Sequence, residues 1–243
     1  ARLRSRHASL IAAASLVLLA GGIAPVPSQA QSRSSSNQGT TSIDELDMGT
    51  RLPAHTLFRP PERPEDRVPF IDDSRFGAQL RSFYFNQDKF NNTRSEAWAL
   101  GGSLAYQSGY VADRLRLGAV AYTSQPLYAP KDRDGTLLLE TGQKGYTVLG
   151  QAYAEVRITD QLFGAVGRKE YNTPYLNGND SRMSPNTFEG LSLYGKTGGT
   201  ASEPEWRYGG GYITKIKPRN SDDFISMAQA AGASVNRGVF AAG

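Results

Sequence analysis

The sequence predicts an all-β fold, a transmembrane antiparallel β-barrel, and three observations carry that expectation. From Phe70 onward, larger apolar side chains alternate with small or polar ones, which places every second residue on one face of an extended chain. Turn-forming residues separate these segments and aromatics gather at their ends, the pattern of strands that face lipid on one side only. The segments run to about ten residues, longer than ordinary soluble strands. Their less apolar faces are small and polar rather than filled, which argues against a soluble β-sandwich or a periplasmic barrel, the folds that share the alternation. A mean hydropathy of −0.45 excludes a bundle of lipid-spanning helices, since each would need about 20 apolar residues.

The elements follow in order. Residues 1–30 read as a secretory signal: Arg2, Arg4, Arg6 and His7, an apolar run from Leu10 to Ala24, the breakers Pro25 and Pro27, and the small-x-small site Ser28-Gln29-Ala30. Residues 31–69 are polar and rich in Ser and Pro, too poor in apolar surface to fold alone, and read as a disordered periplasmic extension. The barrel portion is 70–243. Arg75–Asn86 is aromatic-rich and extended. Trp98–Tyr106 alternates cleanly, with Trp98, Leu100, Gly102, Leu104 and Tyr106 on one face. Arg116–Thr123 alternates more weakly. In Tyr146–Ile158, Val148, Ala152, Ala154, Val156 and Ile158 share one face, and Thr147, Gln151, Glu155 and Arg157 the other. Trp206–Thr214 sets Trp206, Tyr208 and Tyr212 against Arg207, Ile213 and Lys215. Ser221–Ser234 breaks the pattern, with Phe224, Met227 and Ala228 at helical spacing, and reads either as a short helix with Ser221 as its N-cap or as an inward-folded loop packed on the wall. The final residues, NRGVFAAG, read as the start of a further strand, so the chain is read as a fragment.

The stretch from Val156 to Gly195 organises the rest. Two alternating strands end near Arg168. A loop follows with Asn177, Gly178, Asn179, Asp180, Arg182 and Pro185, and a strand resumes at Thr187. Arg168-Lys169-Glu170 reads as a strand end at the membrane interface, and Tyr171, Tyr175 and Tyr194 as girdle aromatics.

Charge and composition narrow the function. The chain has 27 Lys and Arg against 23 Asp and Glu, but three arginines fall in the leader, leaving an excess of one; nucleic-acid binding loses its support. There is no Cys, and the two histidines, His7 and His55, lie in the leader and the extension. No His/Cys metal site, no histidine-dependent catalysis and no cofactor are expected, and the protein is read as a non-enzyme. Asp132-Arg133-Asp134-Gly135 lacks the later Glu of a calcium loop and reads as a turn. The glycines at 209–211 lie within a strand, so they form no phosphate loop.

Several stretches resemble one known family. PFIDDSRFGAQLRSFYFNQD is similar to the opening strand of the OprD-type outer-membrane porins, EAWALGGSLAYQSGY to the next strand, and VRITDQLFGAVGRKEYNTPYLNGNDSRMSPNTFEGLSL to the part that carries the constriction arginine. The resemblance spans Phe70 to Gly243. It implies an 18-stranded barrel, monomeric or loosely trimeric and surrounded by outer-membrane lipid, of which this chain covers about half. It also implies a narrow eyelet and inward arginines guiding small solutes, carboxylates and amino acids among them. Arginine suits that role because it is always charged and grips a carboxylate with two parallel bonds. The candidates are Arg182 in the loop, Arg157 on the polar face of its strand, Arg81 and Arg207. Gln87 stands where the family often has another arginine. The alternative is a self-contained small outer-membrane barrel with a structural or adhesive role.

Overall fold

Each alternating segment forms a strand, and together they build one antiparallel sheet. The computed structural model describes residues 68–199 and 204–243, and the backbone of residues 11–14 and 56–58. Those two stretches are short strands, β1 (Ile11–Ala14) and β2 (Thr56–Phe58). The expected signal and extension otherwise lie outside the described residues, apart from Val68 and Pro69 at the extension's end. One helical turn, α1 (Pro69–Asp72), leads into the wall. The wall consists of β3 (Arg75–Asp88), β4 (Arg94–Gln107), β5 (Leu115–Tyr128), β6 (Tyr146–Thr159), β7 (Leu162–Lys169), β8 (Thr187–Thr197) and β9 (Trp206–Lys217). Each pairs with the next, while β1 and β2 lie along the free edge of β3. Beyond β9 come β10 (Ile225–Ser226), α2 (Met227–Ala230) and β11 (Val239–Ala242), the two strands pairing with β9. Among the described residues β3 and β9 do not pair with each other, so the sheet is open, as half a wall would be. No described helix is long and apolar enough to cross a membrane.

The connections sort by end. Turns 108–114 and 160–161 lie at one end, the turn side, as do residues 198–199 and 204–205 at the facing ends of β8 and β9. Hairpin 89–93 and the long connections 129–145, 170–186 and 218–238 lie at the other, the loop side. Outer-membrane barrels keep short turns toward the periplasm and long loops outside. The 14 residues of β3 to β6 span about 46 Å at about 3.3 Å per residue. That suffices to cross the roughly 25 Å apolar band at a tilt of about 40°.

The two faces divide as lipid and water demand. Outward stand Leu100, Leu104, Leu117, Leu149, Val156, Val166, Leu191 and Leu193, all exposed. In water so continuous an apolar face would drive association; in hydrocarbon it is solvated. Tyr84, Trp98 and Tyr128 flank this band at adjacent register on the loop side. Phe76, Tyr106, Trp206 and Tyr208 flank it on the turn side, forming the two aromatic girdles. The inward residues of β4 are small (Ala97, Ala99, Gly101, Ser103, Ala105), which leaves room for loops to fold in. Leu138 and Leu139 of 129–145 and Met183 of 170–186 fill that room, packing on Ala97 and Ala99 with Phe83 and Phe85 beside them.

Bulges correct two facing assignments. An extra residue at Gly150 interrupts the β5–β6 register, where Val120 pairs Gln151 and Ala121 pairs Leu149. Val148 therefore turns inward onto Ala105, Val120 and Tyr122, and Leu149 and Thr147 turn outward, against the simple alternation. A second extra residue at Thr214 turns Lys215 outward while Arg207 and Ile213 stay inward. The helix predicted within 221–234 shrinks to α2, and its cap is Ser226 rather than Ser221. Ser226 Oγ accepts from the Gln229 amide, and the Gln229 side chain accepts from the Ser226 amide. Ser221 instead closes a turn with the Asp223 amide.

Candidate functional site

The inner face carries its charge in tiers. At the loop side, β3 places Arg81 inward and 170–186 folds across to meet it. Arg81 Nη1 donates to Asp180 Oδ1 (2.6 Å) and to the Arg182 carbonyl (2.5 Å), and Nη2 donates to Asp180 Oδ2 (3.0 Å). This two-pronged grip joins residues 99 apart in sequence and pins the loop tip inside the sheet's concave side. Arg182 follows directly. Its Nε donates to the Thr136 carbonyl (3.0 Å), its Nη1 to the Ser181 carbonyl (2.8 Å), and its guanidinium lies 4.8 Å from the Phe85 ring centre. Among the described residues no carboxylate lies within ion-pair distance of Arg182. Burial, and then the neighbouring Arg219 charge, lower its pKa below the ordinary arginine value. Arg219 Nη1 donates to Ser181 Oγ (2.6 Å), bringing a third guanidinium to the same tip. Lys217 Nζ donates to Ser184 Oγ (3.1 Å) and lies within 6 Å of the ring centres of Tyr122 and Tyr146. Arg81, Arg182, Arg219 and Lys217 share this tier with Asp180 and Glu170, and with Asp222, which acts on Lys217, and Glu140, which accepts the Asp222 amide.

A second tier lies toward the turn side. Glu155, fully buried on β6, meets Arg116 Nε at 2.6 Å and Lys169 Nζ at 2.9 Å, and accepts hydrogen bonds from the hydroxyls of Tyr110 (3.0 Å) and Tyr194. Arg157 stacks on Tyr110, its guanidinium carbon 4.5 Å from the ring centre. Its buried Nε has no hydrogen-bond partner among the described residues. Burial raises the pKa of Tyr110, which keeps its hydroxyl protonated and donating. Three cations here face one carboxylate. At the turn-side edge, Lys196 Nζ (3.1 Å) and Arg207 Nε (2.7 Å) share Glu205, whose carboxyl their hydrogen bonds hold below the usual carboxylate range. A cavity of about 540 Å³ opens beside Arg207, walled by Tyr171, Tyr194 and Gly209.

The four arginines singled out from the sequence do not form one row. Arg81 and Arg182 meet at the loop tip; Arg157 lies on the inner face near the turn side, and Arg207 at its edge. Arg81 shares the face of Phe83 and Phe85, and Arg157 and Arg207, each read from alternation as opposite the larger apolar residues of its strand, stand on that same side of the sheet. Arg116, Lys169, Lys217 and Arg219 were missed. The first two could have been found by counting parity from Tyr122 and Phe163; the last two depend on where 218–238 folds. Arg168-Lys169 splits across the wall, Arg168 outward and Lys169 buried inward. Tyr171 and Tyr194 are not girdle residues. Tyr194 reaches the buried Lys169–Glu155 pair (Lys169 Nζ to its hydroxyl, 3.0 Å), and Tyr171 bonds Ser192 and packs on Phe188.

Residues 68–242 match the family described as outer membrane porin, OprD family. The chain belongs to the OprD family of outer-membrane porins. It is accordingly a protein of the bacterial outer membrane. Over 132 residues the porin is 29% identical to Porin D of Pseudomonas aeruginosa, a match covering 51% of this chain and 29% of that protein. Two crystal structures share its fold. OccK9 (OpdG) of Pseudomonas aeruginosa has a TM-score of 0.55 at 28% identity, with 65% of this chain matching 42% of that one. A BenF-like porin from Pseudomonas fluorescens Pf-5 also gives 0.55, at 25% identity, with 64% matching 40%. The chain therefore spans well under half the length of the relatives it matches.

Proposed function

We propose that this chain forms the cation-bearing wall of a substrate-selective channel that passes small solutes carrying a carboxylate, amino acids among them, by diffusion across the outer membrane. One observation carries the reading: Arg182 at the loop tip and Arg157 on the inner face have no carboxylate partner among the described residues. Their charge is left for a passing anion. A wall of one sign in a narrow, low-dielectric space concentrates counter-ions, and rings of charged side chains at a constriction are an ordinary source of channel selectivity. The folded-in loop, held by Arg81 on Asp180 and by Met183 in its apolar seat, lays Arg182 over Phe85 on the inner side of the sheet. On this reading the partners are solutes inside and lipid outside, and catalysis has no part in the function.

The test is uptake of a carboxylate solute by vesicles holding the protein, compared for wild type and Arg182→Ala. Uptake is expected to fall several-fold while barrel yield, read from the mobility difference between cold and boiled samples, changes little. Equal uptake by the two would overturn the assignment.

A further inference from the structure

Two charged groups lie on the outward side of the wall among the described residues, and the one on β7–β9 carries a net positive charge. Arg168 of β7, Glu189 of β8 and Lys215 of β9 occupy one outward row, Glu189 facing Arg168 across one pairing and Lys215 across the other. Arg168 Nε lies 3.0 Å from Glu189 Oε2, and Lys215 Nζ 3.2 Å from Oε1. Both cations keep much of their side-chain surface, 38% for Arg168 and 40% for Lys215. The Arg168 guanidinium carbon lies over the Phe224 ring, from connection 218–238, 4.1 Å from the ring centre. Two cations thus share one acid, and a positive charge remains.

The height of this group decides what it meets. Along β9, with Thr214 bulged out, Lys215 lies six regular steps from Tyr208 and eight from Trp206 of the turn-side girdle; along β4, Trp98 of the loop-side girdle lies eight from Tyr106. Arg168 and Lys215 therefore stand at the loop-side girdle, where acyl chains give way to headgroups. Directly below, on the same face, Val166, Leu191 and Tyr212 are bare apolar surface, 57%, 56% and 44% exposed. A charge here would be costly deeper in hydrocarbon and is tolerated at the interface. Arginine and lysine side by side recognise phosphate. The other outward charged group, on β4 and 129–145, sets Arg94 and Arg133 against Glu96, Asp88 and Asp132, so acids prevail there and it offers nothing to an anion.

We propose that the outer face of β7–β9 is a binding site for a phosphorylated lipid of the loop-side leaflet, with Arg168 and Lys215 holding a headgroup phosphate and Val166, Leu191 and Tyr212 covered by its acyl chains. The site rests on insertion of the barrel and is independent of solute selectivity. The experiment takes the protein in detergent and measures, by gel filtration and mass spectrometry, retention of three probes. These are bis-phosphorylated lipid A, the same lipid with both phosphates removed, and inorganic phosphate. The phosphorylated lipid is expected to bind at least tenfold more tightly than the dephosphorylated one. Arg168→Gln with Lys215→Gln should weaken its retention about thirty-fold, at roughly 1 kcal/mol for each cation near the surface. Glu189→Gln, which leaves both cations uncompensated, should strengthen it. The cold-versus-boiled mobility shift should persist in each variant. Equal retention of the two lipids, unchanged retention in the double variant, or displacement by millimolar inorganic phosphate would each overturn the proposal, the last by making it a free-anion site.

Discussion

Arg81→Ala and Asp180→Asn remove opposite ends of the same clamp, and their comparison separates what holds the constriction loop from what charges it. The clamp has three hydrogen bonds from one guanidinium, with side-chain exposures of 16% for Arg81 and 34% for Asp180. Exposed ion pairs contribute about 0–1 kcal/mol, and breaking a buried one costs about 3–5. A half-screened two-pronged pair falls between, at about 2 kcal/mol, or roughly thirty-fold in the equilibrium between docked and undocked loop. The charge effects run in opposite directions. Arg81→Ala removes a cation and leaves Asp180 bare in the lumen; Asp180→Asn removes the acid and leaves Arg81, Arg182 and Arg219 unopposed at the tip. A unit charge several ångströms away at an effective dielectric near 40 alters an anion's energy by about 1 kcal/mol, or roughly fivefold in local concentration. In planar bilayers under a salt gradient, both variants are expected to show more open-channel noise. The reversal potential should move toward cation preference for Arg81→Ala and toward anion preference for Asp180→Asn. Shifts of the same sign, or quiet channels in both variants, would refute the reasoning.

Two further outcomes follow from buried or loop-borne carboxylates. Glu155→Gln leaves Arg116 and Lys169 together without their shared acid, a loss of about 3–5 kcal/mol. The temperature at which the compact band converts to the unfolded one should drop accordingly, and Lys169→Met added to it should restore part of the loss. Glu140, in 129–145, accepts the Asp222 amide at 3.0 Å, and burial, reinforced by Asp222 and Asp223, raises its pKa. The fold thus favours its protonated form more than water does. The contact with 218–238 should therefore be fully present below the ordinary carboxylate pKa and weaken as pH rises through the raised value. Hydrogen exchange in 218–238, corrected for intrinsic rates, should show a larger protection difference between pH 4 and 7 in wild type than in Glu140→Gln.

Most of the wall was legible in the sequence because a membrane strand must satisfy two solvents at once. Alternation in Trp98–Tyr106 and Trp206–Tyr212 located both strands and both faces, but the small inner face of β4, read as unfilled, is covered at Ala97 and Ala99 by Leu138, Leu139 and Met183 from folded-in loops. What failed was local. Period-two counting carries no information about an extra residue, so Val148 and Lys215 were assigned to the wrong face. Tyr194 and Tyr171 were read as girdle residues because tyrosine is common there, whereas parity from Phe163 through its partner Tyr194 places that ring inside. The site was half legible. Arg182 stood out as the lone basic residue of a turn-rich loop. Its partners Phe85, Thr136, Ser181 and Arg219 come mostly from other loops or strands, and such contacts have no signature along the chain.

The bulges at Gly150 and Thr214 have a consequence for chain length. Removing one residue from a regular stretch of strand exchanges its two faces from that point on, sending leucines into the channel and charges into hydrocarbon. At Gly150 the neighbours already stand as a regular strand would have them, Leu149 outward and Gln151 inward, and at Thr214 Ile213 is inward and Lys215 outward. Deleting either residue would straighten the strand and leave every face as it was. Gly150 must also stay small while present, since a Cβ there would fall 2.6 Å from the Tyr122 ring. These two positions are where the length of the wall can change by one residue without rewriting the code that divides lipid from water.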